Sequence, residues 1–134
     1  MAEKPLRIVL LGIILSSVCG CVAVPLIVGG GAGAGTVAYL KGELKSLEEA
    51  SLDKTWQATH KALKDLEFII TSEEKNSLSA KAVARGTANK RVEINLKNVS
   101  GNLTEVKIRV GIFGEESLSR LILERIKKYL NGSL

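Results

Sequence analysis

The sequence predicts an α+β domain of two layers: an antiparallel sheet of about five strands with helices on one face, in the order β-α-β-β-β-β-α. Three observations predict it. Across residues 67–113, apolar and polar residues alternate in consecutive runs, the pattern of half-buried strands. Short polar or glycine-containing turns separate those runs, which suits an antiparallel meander. The flanking stretches 51–66 and 115–130 repeat their apolar residues at helical spacing instead.

In chain order, residues 36–46 alternate. Leu40, Gly42 and Leu44 fall on one side and Lys41, Glu43 and Lys45 on the other, which reads as one half-buried strand. Ser51 is a suitable N-cap, and Asp53 places a negative charge in the first turn of a helix running to about Leu66. Leu52, Trp56, Thr59, Leu63 and Leu66 form its apolar stripe, widened by Ala62. Residues 67–72 form a strand with Phe68 and Ile70 opposed to Ile69 and Thr71, and residues 73–77 read as a turn. In residues 78–85, Ala80, Ala82 and Ala84 share one side. Repeated alanine on a strand face leaves room for a close neighbour, and a helix is the expected occupant.

Residues 91–97 turn Val92, Ile94 and Leu96 inward. After a loop at 98–102, residues 103–113 turn Val106, Ile108, Val110 and Ile112 inward, with Lys107 and Arg109 outward. Glu115 and Glu116 open the last helix, whose stripe is Leu118, Leu121, Ile122, Ile126 and Tyr129. Lys127 and Lys128 lie in its last turn, where the helix dipole favours cations, and Asn131-Gly132 is a stop signal.

Aromatic residues are few, with one Trp, two Tyr and two Phe, so the core is built mainly from Leu, Ile, Val and Ala. Lys and Arg number 19 against 14 Asp and Glu, a net charge of +5. Lys and Glu alternate along most elements, which describes solvated faces. No block of like charges suggests a nucleic-acid arm, and no nucleic-acid partner is expected.

The N-terminal stretch is of a different kind. Lys4 and Arg7 give a basic start, and residues 8–18 give an apolar run too short to span a bilayer comfortably. Val18-Cys19-Gly20-Cys21 follows, with a branched aliphatic three positions before Cys21 and a small residue immediately before it. This resembles a bacterial lipobox. The resemblance implies cleavage between Gly20 and Cys21, lipid on Cys21, and attachment to the membrane through that lipid. Cys19 fits less well, because Ser16 and the bulky Val18 would then hold the determining positions. The expected division is a signal peptide over 1–20, a Gly/Ala-rich apolar tether over 21–36 and the α+β domain over 37–131. With Cys19 removed and Cys21 acylated, the domain carries no thiol and needs no disulfide.

Two alternatives stay open at the N-terminus. No charged residue lies between Arg7 and Lys41, so an uncleaved chain could keep a membrane span there, although Pro25 and the glycines interrupt it. Gly29 and Gly33, like Gly31 and Gly35, are four apart, the spacing of close-packed membrane helices. The same residues serve equally as a flexible tether, since each glycine costs a helix about 1 kcal/mol.

Candidate catalytic residues are sparse. His60 is the sole histidine and lies four positions after Trp56; a base at this position would need a nucleophile and an orienting partner that the sequence does not supply. One histidine and no cysteine beyond Cys21 exclude the usual zinc ligand sets. Glu73-Glu74 and Glu115-Glu116 are acidic pairs at turns or helix starts, where solvated or dipole-capping roles are expected. Trp56 sits on the apolar stripe and is expected in the core. Lys81, Arg85, Arg91, Lys97, Lys107 and Arg109 share an outward register, interrupted by Glu93 and Glu105, and could form a basic face. No enzyme activity, metal or cofactor is expected.

Together, several segments resemble a family of small bacterial lipoproteins catalogued only as a domain of unknown function. They are the lipobox, Gly31-Ala32-Gly33-Ala34-Gly35, Tyr39-Leu40-Lys41-Gly42-Glu43-Leu44, Ser51-Leu52-Asp53-Lys54-Thr55-Trp56, Ala62-Leu63-Lys64-Asp65-Leu66, Lys107-Ile108-Arg109-Val110-Gly111-Ile112-Phe113-Gly114 and Leu118-Ser119-Arg120. A fainter likeness, at the level of fold, links the strand and helix order to the helix-grip domains of barrel-assembly accessory lipoproteins. The resemblance implies an address and an architecture: a lipid-anchored structural or interaction module of the cell envelope with a possible envelope protein partner. Val22, with no Asp beside Cys21, implies an outer-membrane destination facing the periplasm. The alternative is a small-ligand or lipid binder with a pocket between helix and sheet, lined by Ala80, Ala82 and Ala84.

Overall fold

A computed structural model of the protein describes residues 36–132. The lipobox residues Gly20 and Cys21 and the glycine-rich stretch up to residue 35 lie outside the described residues. The elements are β1 (Val37–Leu40), β2 (Glu43–Glu48), α1 (Leu52–Asp65), β3 (Ile69–Lys75), β4 (Ser79–Arg85), β5 (Arg91–Ser100), β6 (Leu103–Val110) and α2 (Glu116–Asn131). The fold is the expected α+β, with one antiparallel sheet of six strands rather than about five, in the order β1-β2-β6-β5-β4-β3. The first helix pairs with β4 and β5, the second with β6 and β2, and the helices also pack on each other.

The additional strand comes from residues 36–46, which form a hairpin and not one strand. Lys41 and Gly42 both have positive φ, 53° and 79°, the two-residue turn whose twist matches antiparallel partners. The turn changes which residues face together. Tyr39 stands opposite Leu44, facing the helices, whereas Leu40 stands opposite Glu43 on the outer face and is 56% exposed.

Two bulges move the other boundaries. Between Ile70 and Ser72 the register of β3 shifts by one residue at Thr71, whose hydroxyl donates to the Val83 carbonyl at 3.2 Å. The strand therefore continues through Glu73 to Lys75 in place of the expected turn, and Glu73 and Lys75 come to the helix side of this edge strand. A second shift between Asn98 and Ser100 lets β5 extend through the expected loop. At the far end of β6, Gly111 takes φ 69° and stops the strand. Ile112, expected inward, is 85% exposed.

The core lies between the inner sheet face and the helices. Leu44, Val92, Ile94, Leu96, Val106, Ile108 and Val110 supply the sheet side, each at most 1% exposed. Ala80, Ala82 and Ala84 are buried beneath α1, which presents Ala58, Ala62 and Leu63 to the sheet. Alanine on both sides lets helix and strand approach closely, so the space between them is filled. Ser51 caps α1 as expected, its hydroxyl accepting from the Lys54 N–H at 3.2 Å. Thr55 and Thr59 are also buried, their hydroxyls donating to carbonyls one turn earlier. Trp56 packs partly buried against the core. In α2 the buried arc is Ser119, Ile122, Leu123, Ile126 and Leu130, while Leu121 is 46% exposed. Leu118 and Tyr129 of the expected stripe pack partly buried against the core, and Ser119, Leu123 and Leu130 join it because α2 contacts both α1 and the sheet.

Candidate functional site

Both helices cover the same side of the sheet, so the other side is open. Alternation along the strands puts Glu43 and Lys45 of β2, Glu105, Lys107 and Arg109 of β6, Arg91, Glu93, Asn95 and Lys97 of β5, and Lys81 and Arg85 of β4 on this open face. All six cations of the expected basic face are thus brought together. The sequence reading missed Lys45 and Glu43, because it did not place a second strand beside β6.

Charges on this face meet across neighbouring strands. Lys45 stands opposite Lys107, and Arg85 opposite Arg91. Like charges in these positions repel. Carboxylates beside them relieve the repulsion: Glu43 lies 4.0 Å from Lys45, Glu105 3.2 Å from Lys107, and Glu93 3.1 Å from Lys81 and 3.3 Å from Arg91. The Asn95 amide that donates to Glu93, helped by Lys81 and Arg91, holds its carboxyl below the usual glutamate range against some burial. Cations still outnumber carboxylates here. Lys81, Lys97, Lys107, Asn95, Glu43 and Glu105 border a shallow concavity of about 610 Å³.

Glu48 was not anticipated. It follows Leu44 and Ser46 in the inward register of β2 and is only 7% exposed. The Ser46 hydroxyl donates to its carboxylate, and Lys127 of α2 stands 4.0 Å away. Loss of hydration dominates over these and, with Glu124 nearby, pushes the carboxyl above its ordinary 4.5. A raised value in the folded state means that Glu48 stabilises the fold fully below about pH 4.5 and progressively less as pH rises through the folded value. Glu48→Gln cannot ionise. Its denaturation midpoint should therefore gain on that of wild type as pH rises from about 4.5 towards neutral. A difference that is flat with pH, or moves the other way, contradicts this.

His60 is committed to its surroundings. Its Nδ1 lies 3.0 Å from the Trp56 carbonyl and its Nε2 2.7 Å from Glu73, and its ring meets Trp56 edge-on. Lys75 makes a parallel link to Asp53 at 2.6 Å. These contacts tie the edge strand β3 to α1, which is a structural arrangement. Glu74 points to the open face, opposite Lys81. Glu115 pairs with Lys90, and Glu116 lies 2.8 Å from Arg120. Between the helices, the Arg125 guanidinium beside Asp65 holds that carboxyl below its usual range.

The matched span decides the family. The chain belongs to the family described as a protein of unknown function, DUF3568. The match runs over residues 4–129. It takes in the N-terminal segment with Val18-Cys19-Gly20-Cys21, every strand, and α2 as far as Tyr129. No curated protein matches this DUF3568 chain. Among the described residues, no helix is long and apolar enough to cross a membrane.

Proposed function

We propose that this DUF3568 chain is a lipid-anchored, non-catalytic module of the bacterial cell envelope, held by lipid on Cys21 and offering its open sheet face to another envelope component. The observation that carries the reading is Val18-Cys19-Gly20-Cys21, set after a basic start and a short apolar run. The family match begins at residue 4, so this segment lies within the family's own span. The described fold suits such a tether. The chain enters at Thr36 into β1, an edge strand, and need not cross the sheet. With Val22 next to Cys21, the destination we propose is the outer membrane, facing the periplasm.

The ligand-pocket alternative required space against Ala80, Ala82 and Ala84. Those residues are at most 4% exposed beneath α1, which counts against it. Fatty-acid labelling tests the anchor. In a bacterium that processes lipoproteins, the wild-type chain should incorporate a labelled fatty acid and Cys21→Ser should not. Equal labelling of both, or of neither, contradicts the assignment of Cys21.

A further inference from the structure

One end of the sheet gathers exposed apolar side chains that the fold does not use. Phe113 is 90% exposed, Ile112 85%, Ile69 73% and Leu40 56%. Leu40 precedes the β1–β2 turn, and Ile112 and Phe113 lie in the turn after β6. The two turns touch, since a side-chain carbon on Gly42 would strike the Phe113 carbonyl and one on Gly114 would strike Gly42. The Gly111 N–H donates to the Arg91 carbonyl at 2.8 Å, fixing the β6 turn to β5. From there, Arg91 stands opposite Arg85, and Arg85 opposite Ile69. Ile112 and Phe113 are therefore held outward by a braced backbone.

Three cations around this tip, Lys41, Arg85 and Arg109, have no carboxylate partner among the described residues. Arg85 donates to Asn89 and Arg109 to the Lys41 carbonyl, both neutral acceptors. The Lys41 ammonium makes no ion pair among the described residues. Of the nearby carboxylates among the described residues, Glu43 pairs with Lys45, Glu93 with Lys81 and Arg91, Glu115 with Lys90 and Glu116 with Arg120, which leaves exposed Glu67, before Ile69, as the unpaired one. Projecting Ile and Phe flanked by the unpaired Lys41, Arg85 and Arg109 match a bilayer surface, where the apolar groups enter the interface and the cations meet anionic headgroups. A protein partner would need complementary acidic and apolar surfaces together, and nothing on the molecule indicates one at this end.

We propose that the Ile112-Phe113 tip inserts into a bilayer rich in anionic lipid, as a membrane contact separate from Cys21. The chain enters the domain at Thr36, at the opposite end of the sheet, so anchor and tip are distinct points of attachment.

The test places a single tryptophan at the tip of the full chain in vesicles, as Phe113→Trp with Trp56→Phe. A matching reporter at the opposite end is Val99→Trp, a position 52% exposed. On vesicles of phosphatidylglycerol and phosphatidylcholine, emission from position 113 should shift to the blue and be quenched by brominated lipid. Position 99 should keep its water-exposed emission. Phosphatidylcholine alone, or Lys41→Glu with Arg85→Glu, should abolish the quenching. Phe113→Ser with Ile112→Trp as reporter should weaken insertion by roughly tenfold to a hundredfold, the worth of one buried side chain. If Trp56→Phe loosens α1, the same reading is taken with Trp56 kept and its own signal subtracted. Water-exposed emission at 113 on anionic vesicles overturns the proposal. So does equal quenching at 113 and 99, equal quenching on neutral vesicles, or a blue shift that depends on protein concentration without vesicles, which would indicate a second copy. Because the reading is local depth at residue 113, its failure is separable from failure of the lipid at Cys21.

Discussion

Replacing Ile108 by Ala is expected to lower the unfolding free energy by about 2–5 kcal/mol, whereas Ile112→Ala should change it by no more than about 0.5 kcal/mol. The residues are four apart on the same run and share an apolar side chain, so composition does not distinguish them. Position does. Ile108 is fully buried at the middle of β6, opposite Leu44 on one side and Ile94 on the other. Truncating it leaves a hole bounded by three strands and the helices, whose relaxation is limited by the sheet on both sides. Ile112 lies beyond Gly111, in solvent. Denaturant midpoints of the two variants measure the difference. Similar losses for both would mean that β6 continues inward past Val110 and that the turn is misplaced.

Gly114→Ala should be comparably costly, about 2–5 kcal/mol. Gly114 has φ 83°, where a side chain costs roughly 1–2 kcal/mol in itself. Its new methyl would also meet the backbone of Gly42, which cannot swing aside as a side-chain end could. Forced expansion of this kind adds roughly 1–3 kcal/mol. Gly101→Ala is the control, since a methyl there meets nothing within 4 Å. Thermal unfolding should separate the two variants clearly; equal transitions would show that the turns after β1 and β6 are not braced against each other.

These expectations mark where the sequence was legible. Alternation with a single phase located β4 and most of β5 and β6, and helical spacing with Ser51 located α1. The three alanines of β4 announced a closely packed helix. Misreadings came where the phase slips. The Lys41-Gly42 turn lies inside an alternating stretch, so one strand and a hairpin look alike until pairing shows Leu40 facing outward. At Thr71 the bulge carries two charged positions, Glu73 and Lys75, to the helix side, where His60 and Asp53 receive them. Buried Glu48 opposes the ordinary preference of glutamate for water, and the hydroxyl of Ser46 that supports it is indistinguishable in sequence from a surface serine. The open face was legible only in part. Three meander strands supplied its six expected cations, but Lys45 and Glu43 join them through the non-local pairing of β2 with β6.

The central claim is the anchor, and intact mass tests it most directly. The full-length chain and Cys21→Ser are expressed in a bacterium that processes lipoproteins, and the membrane-associated product of each is weighed. The account predicts a wild-type species that begins at Cys21 and carries acyl mass, with the mutant retaining its N-terminal segment and no acyl group. An unprocessed, unacylated wild-type chain would contradict it and would make the glycine-rich apolar run itself the membrane attachment.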